Sequence, residues 1–298
     1  MKKFQKLWQP LIGFSVVLVI LVMTVSQSTP VIGRTSHSKS LSEVTKYVRF
    51  QKGDTISYGI LDGEQIIAIN GDLFGEWNLT HQKHSLEDVK LLFPVARPSK
   101  ILACAGNYVS HLGGDADTSP FPELFIKPSS SLQNPEDPIV LPELAPYTDF
   151  EAEMVIVIGK KAKNIEKSEA LDYVLGVTCG NDVSARAWQR NDVQWWRAKG
   201  CDTFAPCGPA IVSGIDYDNL LLTLRLNGEV KQQQRTSDLI HDVASVISFI
   251  SKHMTLEPGD LIFTGTPGET SPIKPGDLVE VELEGVGLLR NPVVSGSK

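Results

Sequence analysis

Residues 147–160 read YTDFEAEMVIVIGK, and this segment decides how the rest of the chain is read. Acids stand at Asp149, Glu151 and Glu153, and an uninterrupted apolar run follows at once. The run MVIVIG is β-branched and short, which predicts a buried strand rather than a helix. In a strand, residues two apart face the same side, so Glu151 and Glu153 are neighbours, with Phe150, Ala152 and Met154 opposite. Two ionised carboxylates at the mouth of a buried strand repel each other and lose hydration. Three arrangements relieve this: exposure to solvent, a shared proton, or a bound cation.

Working outward, other apolar strands end on polar residues. KILACAGNYVSH delivers Asn107, Tyr108 and His111, PELFIKPSSSL places Lys127 after a short strand, and GVTCGNDVSAR carries Asp182 beyond another. Asp182 is read either as a turn or capping residue or as a third oxygen ligand. Three carboxylates without a histidine–cysteine cluster favour a hard ion, Mg2+ first and Mn2+ or Ca2+ next, over zinc.

The remaining pattern predicts a β-rich α+β fold. GD, DG and NG punctuate residues 47–95 and predict small antiparallel hairpins, and SLEDVKLLFPV reads as a short helix or turn capped by Ser85. A helix is expected in KSEALDYVL and another in DLIHDVASVISFISKHM, a hairpin turn at Asn227-Gly228, and strands entered through two PGD turns. No Walker loop, dinucleotide glycine fingerprint or repeat is present.

Composition narrows the function classes. The 298 residues are 42% hydrophobic and 21% charged, ordinary for a folded protein. A formal net charge of −7 argues against nucleic acid as a partner, and WQRNDVQWWR reads as core or interface packing. The 4 cysteines form no CxxC pair. At the N-terminus, basic MKKFQKLWQP precedes an uncharged apolar run at 11–25. Residues 1–26 are therefore expected to be a signal peptide or membrane anchor, engaging a membrane or export machinery and giving an anchored or exported location. Residues 27–46 read as a linker, 47–95 as a small N-terminal domain and 96–298 as the main domain.

Over about 99–294 the motifs NYVSH, LFIKPSSS, YTDFEAEMVIVIGK, GVTCGNDVSARAWQ, RAKGCDTFAPCGP, LNGEV and LIFTGTPGETSP resemble the fumarylacetoacetate hydrolase family in order and spacing. The resemblance implies a mixed β-sandwich roll with a small N-terminal domain, usually a homodimer. It places Glu151, Glu153 and Asp182 as ligands of a divalent metal. Lys199 falls on the active-site lysine and His111 on the catalytic histidine, while Lys127, Tyr108 and Thr266 fall in substrate-binding segments. Where the family carries an acid three residues after the histidine, HLGGD has Gly114, and Asp115 is the nearest replacement. Gly106 and Ala187 also depart from the family pattern. The implied activity is metal-dependent hydrolysis or isomerisation of a small 2-oxo acid or dicarboxylate through a stabilised enolate. The alternatives are an oxaloacetate-type decarboxylase, or a tethered protein that binds metal and 2-oxo acid with little turnover.

Overall fold

The computed structural model describes residues 44–113, 118–145 and 147–296, all within one compact unit, Lys39–Lys298. Four strands come first: β1 (Thr45–Lys52), β2 (Thr55–Asp62), β3 (Gln65–Gly71) and β4 (Trp77–Ser85). A short β5 (Lys90–Leu92), β6 (Ile101–Ala105) and the one-turn helix α1 (Val109–Leu112) lead into β7 (Glu123–Lys127). Next come β8 (Leu132–Gln133), β9 (Ile139–Leu141), β10 (Thr148–Asp149), β11 (Ala152–Ile158), β12 (Val174–Asn181) and β13 (Ser184–Ala185). Helices α2 (Arg186–Asn191) and α3 (Trp196–Gly200) precede β14 (Ala205–Ser213). The chain ends with β15 (Leu221–Leu226), β16 (Glu229–Arg235), α4 (Val243–His253), β17 (Leu261–Phe263), β18 (Leu278–Leu283) and β19 (Gly287–Ser295).

The larger sheet runs β4-β3-β2-β1-β14-β12-β11-β17-β6-β7, with β5 attached to β1 and β8 to β14. A second sheet, β16-β15-β18-β19-β9, completes the strand-dominated α+β fold. Every residue of β11 is buried, because both of its faces meet apolar layers. Ala152, Met154 and Ile156 join the core shared with Leu222, Val279 and Val281 of the second sheet, while Val155 and Val157 pack with Ile101, Ile211 and Phe263. This two-sided burial explains why the segment is a continuous apolar run instead of an alternating one.

The hairpins at the N-terminal end continue the larger sheet: β1 pairs with β2 on one side and with β14 on the other. Thr45 is buried opposite Ser213, so the last residues of the expected linker are strand. Asn227 and Gly228 both take left-handed φ (55° and 82°), the backbone that a tight two-residue hairpin turn requires. The helix or turn expected after Ser85 is a turn, and one helix expectation changes. After Ser85, which makes no side-chain cap, the chain makes one 3-10 turn and then β5. Residues Lys167–Tyr173 form a 3-10 helix whose continuation is already β12. The expected long helix is α4, and it starts where the Asp242 carboxylate accepts the Ser245 amide at 2.7 Å.

The expectation of a membrane-engaging segment, and with it an anchored or exported location, is corrected. Among the described residues no helix is long and apolar enough to cross a membrane. The longest, α4, has 11 residues, against the roughly 20 that a bilayer core requires. Residues 1–26, on which the expectation rested, lie outside the described residues.

Candidate active site

The register of β11 against β12 assembles the acidic cluster. Ala152 pairs with Asn181 and Glu153 with Gly180, so Asp182, one residue past β12, arrives beside Glu151. The Asp182 amide donates to the Glu151 carbonyl at 2.9 Å, and the Glu151 amide donates to Asn181 Oδ1 at 2.9 Å. One carboxylate oxygen from each of Glu151, Glu153 and Asp182 lies within 4.8 Å of the others. All three side chains are buried, so solvent exposure is not how their repulsion is relieved.

Three cations surround them. Lys199, on α3, donates from Nζ to Glu151 and to Asp182, each at 2.6 Å. Lys127, at the end of β7, reaches Asp182 at 2.6 Å and also donates to the Lys199 carbonyl. Arg186, the first residue of α2, holds Glu151 at 2.6 Å through Nη2 and Asp149 at 2.8 Å through Nε. Glu153 has no cation partner among the described residues; its Oε2 accepts the Gly265 amide at 2.6 Å.

The electrostatics follow this pairing. Burial would raise the Glu151 carboxyl, but Lys199 and Arg186 outweigh it and hold the group at about 2. Glu153 moves the other way, well above the usual carboxylate range, through burial and then the charges of Asp182 and Glu151. Burial works against the charge of Lys199, yet Asp182 and Glu151 prevail and raise its pKa. For Lys127 burial prevails and the pKa falls. With Asp149, which shares Arg186, the four carboxylates formally carry one negative charge more than the three cations balance, and hard oxygen donors in such a setting suit a divalent cation such as Mg2+ or Mn2+. The donor set therefore fits the expected metal.

The cluster opens on a cavity of about 680 Å³ whose wall includes Glu151, Glu153, Lys199, His111 and Thr266. His111, on α1, has Nδ1 2.7 Å from the Gly268 carbonyl oxygen. Thr266 Oγ1 accepts from Gln232 Nε2 at 2.9 Å, and Gln232 Oε1 in turn accepts the Ala152 amide at 3.0 Å. Gln232 thus ties the TGTP loop to the start of β11. Two expected substrate-binding residues stand away from the cavity wall. Tyr108 is fully buried and its hydroxyl has no hydrogen-bond partner among the described residues, while Lys127 sits behind Asp182. Asp115 lies outside the described residues.

Sequence reasoning did not single out Arg186, Gln189 or His241, which also line the cavity. Arg186 stands in the SAR motif beside Asp182, so its position held a signal. Gln232 held none, being the one buried residue of an otherwise exposed or half-exposed strand.

Gly265 sets the position of Glu153. Its φ is +98°, and a Cβ there would sit 2.8 Å from the Asn107 Cβ. Gly265→Ala is expected to lower stability by about 1–3 kcal/mol through the strained backbone. It should also loosen the amide that holds Glu153. A thermal unfolding midpoint equal to that of the unaltered protein would contradict this.

Comparisons with known proteins match this fold. A family model described as fumarylacetoacetate (FAA) hydrolase C-terminal covers residues 100–294, and one described as Rv2993c-like, N-terminal, covers 45–94. The structure of a 2-hydroxyhepta-2,4-diene-1,7-dioate isomerase from Mycobacterium marinum is 42% identical. It covers 85% of this chain and 100% of its own, with a TM-score of 0.79. A mitochondrial oxaloacetate tautomerase, fahd2, from Xenopus laevis is 36% identical over 297 residues, 87% of this chain and 92% of the relative. A maleylpyruvate hydrolase from Sphingobium sp. SYK-6, solved with manganese (II) ion and pyruvate, is 29% identical with a TM-score of 0.70, covering 85% of this chain and 100% of that one. The matched span contains the three acids, Lys199, His111 and the loop at Thr266, and its fold is that of hydrolases and isomerases acting on small 2-oxo and dicarboxylic acids. This chain belongs to the fumarylacetoacetate hydrolase family.

Proposed function

We propose that the chain is a divalent-metal-dependent isomerase that interconverts the keto and enol forms of a small 2-oxo dicarboxylate. Glu151, Glu153 and Asp182 hold the ion, Mg2+ or Mn2+. When bound, it polarises the 2-oxo and adjacent carboxylate oxygens of the substrate. Lys199 lines the cavity beside these acids, stays charged, and offers its ammonium to the oxygen on which negative charge develops. Thr266 lines the same cavity as a hydroxyl contact. Lys127 and Tyr108 act from behind the wall, Lys127 by fixing Asp182 and the carbonyl of Lys199.

The observation that carries the choice of isomerisation is the setting of His111. Facing a carbonyl oxygen, Nδ1 of the neutral ring carries the proton, which leaves the Nε2 lone pair to take a proton from carbon and return it. Moving a proton beside a carbonyl needs only such a base. Hydrolysis of a carbon–carbon bond also needs an activated water, and no carboxylate pairs with His111 among the described residues. Gly114 stands where the family carries that acid. The relatives that isomerise or tautomerise their substrates support the same reading.

The test compares oxaloacetate tautomerisation with acetate release from acetylpyruvate, each with Mg2+ and after chelation. Metal-dependent tautomerisation without acetate release is the expected result. Acetate release as fast as tautomerisation would overturn it in favour of hydrolysis.

A further inference from the structure

Among the described residues, four cationic or ionisable basic side chains line the cavity: His111, Arg186, Lys199 and His241. Two of them are already committed to protein carboxylates, Lys199 to Glu151 and Asp182, and Arg186 to Asp149 and Glu151. Arg186 is further saturated by the Gln189 side-chain carbonyl at 2.8 Å and by Thr270 at 2.7 Å. His111 is engaged through Nδ1 by the Gly268 carbonyl and serves as the base of the proposed proton transfer. His241 remains.

Its backbone is clamped. Asn107 Oδ1 accepts the His241 amide at 2.8 Å, Asn107 Nδ2 donates to the His241 carbonyl at 3.1 Å, and the neighbouring Ile240 amide donates to the Asn107 carbonyl at 2.9 Å. None of these bonds uses the imidazole. The ring makes one hydrogen bond, from Nε2 to the Ser119 carbonyl at 3.1 Å, and Ser119 is itself part of the cavity wall. Nδ1 has no hydrogen-bond partner among the described residues. A ring so placed, and held by its main chain, is spare recognition capacity in a cavity whose other cations are engaged.

We propose that His241 is a specificity-determining residue that binds the carboxylate of the substrate remote from its 2-oxo group. Resting on the proposed function, this assigns each end of a dicarboxylate its own partner: the 2-oxo acid end lies at Glu151, Glu153, Asp182 and Lys199, the far carboxylate at His241. In the imidazolium form Nε2–H keeps the Ser119 carbonyl and Nδ1–H donates to the far carboxylate, a charge-assisted bond. The preference for diacids is then a property of one side chain on the loop before α4.

The experiment measures binding of 2-oxoglutarate and 2-oxovalerate by calorimetry, with Mg2+, to the full chain and to His241→Phe. These acids share a five-carbon 2-oxo skeleton and differ at the far end. The unaltered protein is expected to prefer 2-oxoglutarate by about tenfold or more, the size of one hydrogen bond to a charged group. His241→Phe should erase that preference and leave 2-oxovalerate affinity unchanged. Equal weakening of both acids would overturn the proposal, showing that His241 only holds the Ser119 segment. So would a preference that survives the substitution. Failure of both acids to bind the unaltered protein would overturn the 2-oxo-acid reading itself, and this inference with it. His241→Asn, which keeps a short polar side chain within the same main-chain clamp, separates these outcomes from misfolding.

Discussion

Lys199→Met is expected to lower turnover by about 10²–10³-fold, the loss typical of removing a charge aimed at a developing oxyanion. The same change should destabilise the metal-free protein by about 3–5 kcal/mol, because it strands the buried Glu151 and Asp182 carboxylates. The two losses have separate remedies. Millimolar Mg2+ should restore much of the stability, since a cation between the acids replaces the missing ammonium. Turnover should stay low, because the replaced side chain no longer faces the substrate. Thermal midpoints with and without Mg2+, measured beside initial rates, check both halves. Recovery of activity together with stability would reduce Lys199 to a structural counter-ion.

Glu153→Gln is expected to separate stability from activity in the opposite sense. Glu153 holds its proton more tightly in the folded protein than its ordinary value of 4.5, owing first to burial and then to Asp182 and Glu151. A carboxyl raised in this way makes the folded state bind more protons than the unfolded chain, so metal-free stability falls as pH rises from 4.5 through the folded pKa. Glutamine removes that dependence, and the metal-free variant should be the more stable protein at neutral pH. Glu151 adds the reverse slope only below 4.5, where the unfolded chain takes up a proton at this carboxyl that the folded protein, holding it at about 2, does not. Loss of one of three ligands should weaken metal-dependent turnover by at least about a hundredfold, the upper range for disturbing even an outer partner of a metal site. Denaturant midpoints between pH 5 and 8 with chelator, set against rates with Mg2+, read both effects. A metal-free variant with the same pH slope as the unaltered protein would contradict the argument.

These expectations grow from one strand, and the strand was readable in advance. The run MVIVIG, with no polar interruption, predicted a buried strand, and its period of two put Glu151 and Glu153 on one side. Three remedies for their repulsion remained open at that level. Only the fold excludes solvent, by burying both acids, and only the β11–β12 register brings Asp182 to them. Periodicity describes a segment's own faces and carries nothing about which distant segments meet there. The same limit hid the countercharges: Lys127, Arg186 and Lys199 come from three separate elements and converge only after the sheet forms. Tyr108 shows the converse limit. Its place in the NYVSH motif pointed to the substrate, while its ring packs wholly inside the core. Residues 167–175 were read as a helix, yet the strand that follows takes the chain from Val174 after two turns of 3-10 backbone.

The central claim is that the buried acids exist to hold one divalent ion. Mn2+ binding counted by electron paramagnetic resonance on chelator-stripped protein tests it most directly. The account predicts one tightly bound ion per chain in the unaltered protein, displaced by Mg2+ and lost in both Glu153→Gln and Asp182→Asn. Stripped protein that takes up no ion, or variants that bind it as tightly as the unaltered chain, would contradict it.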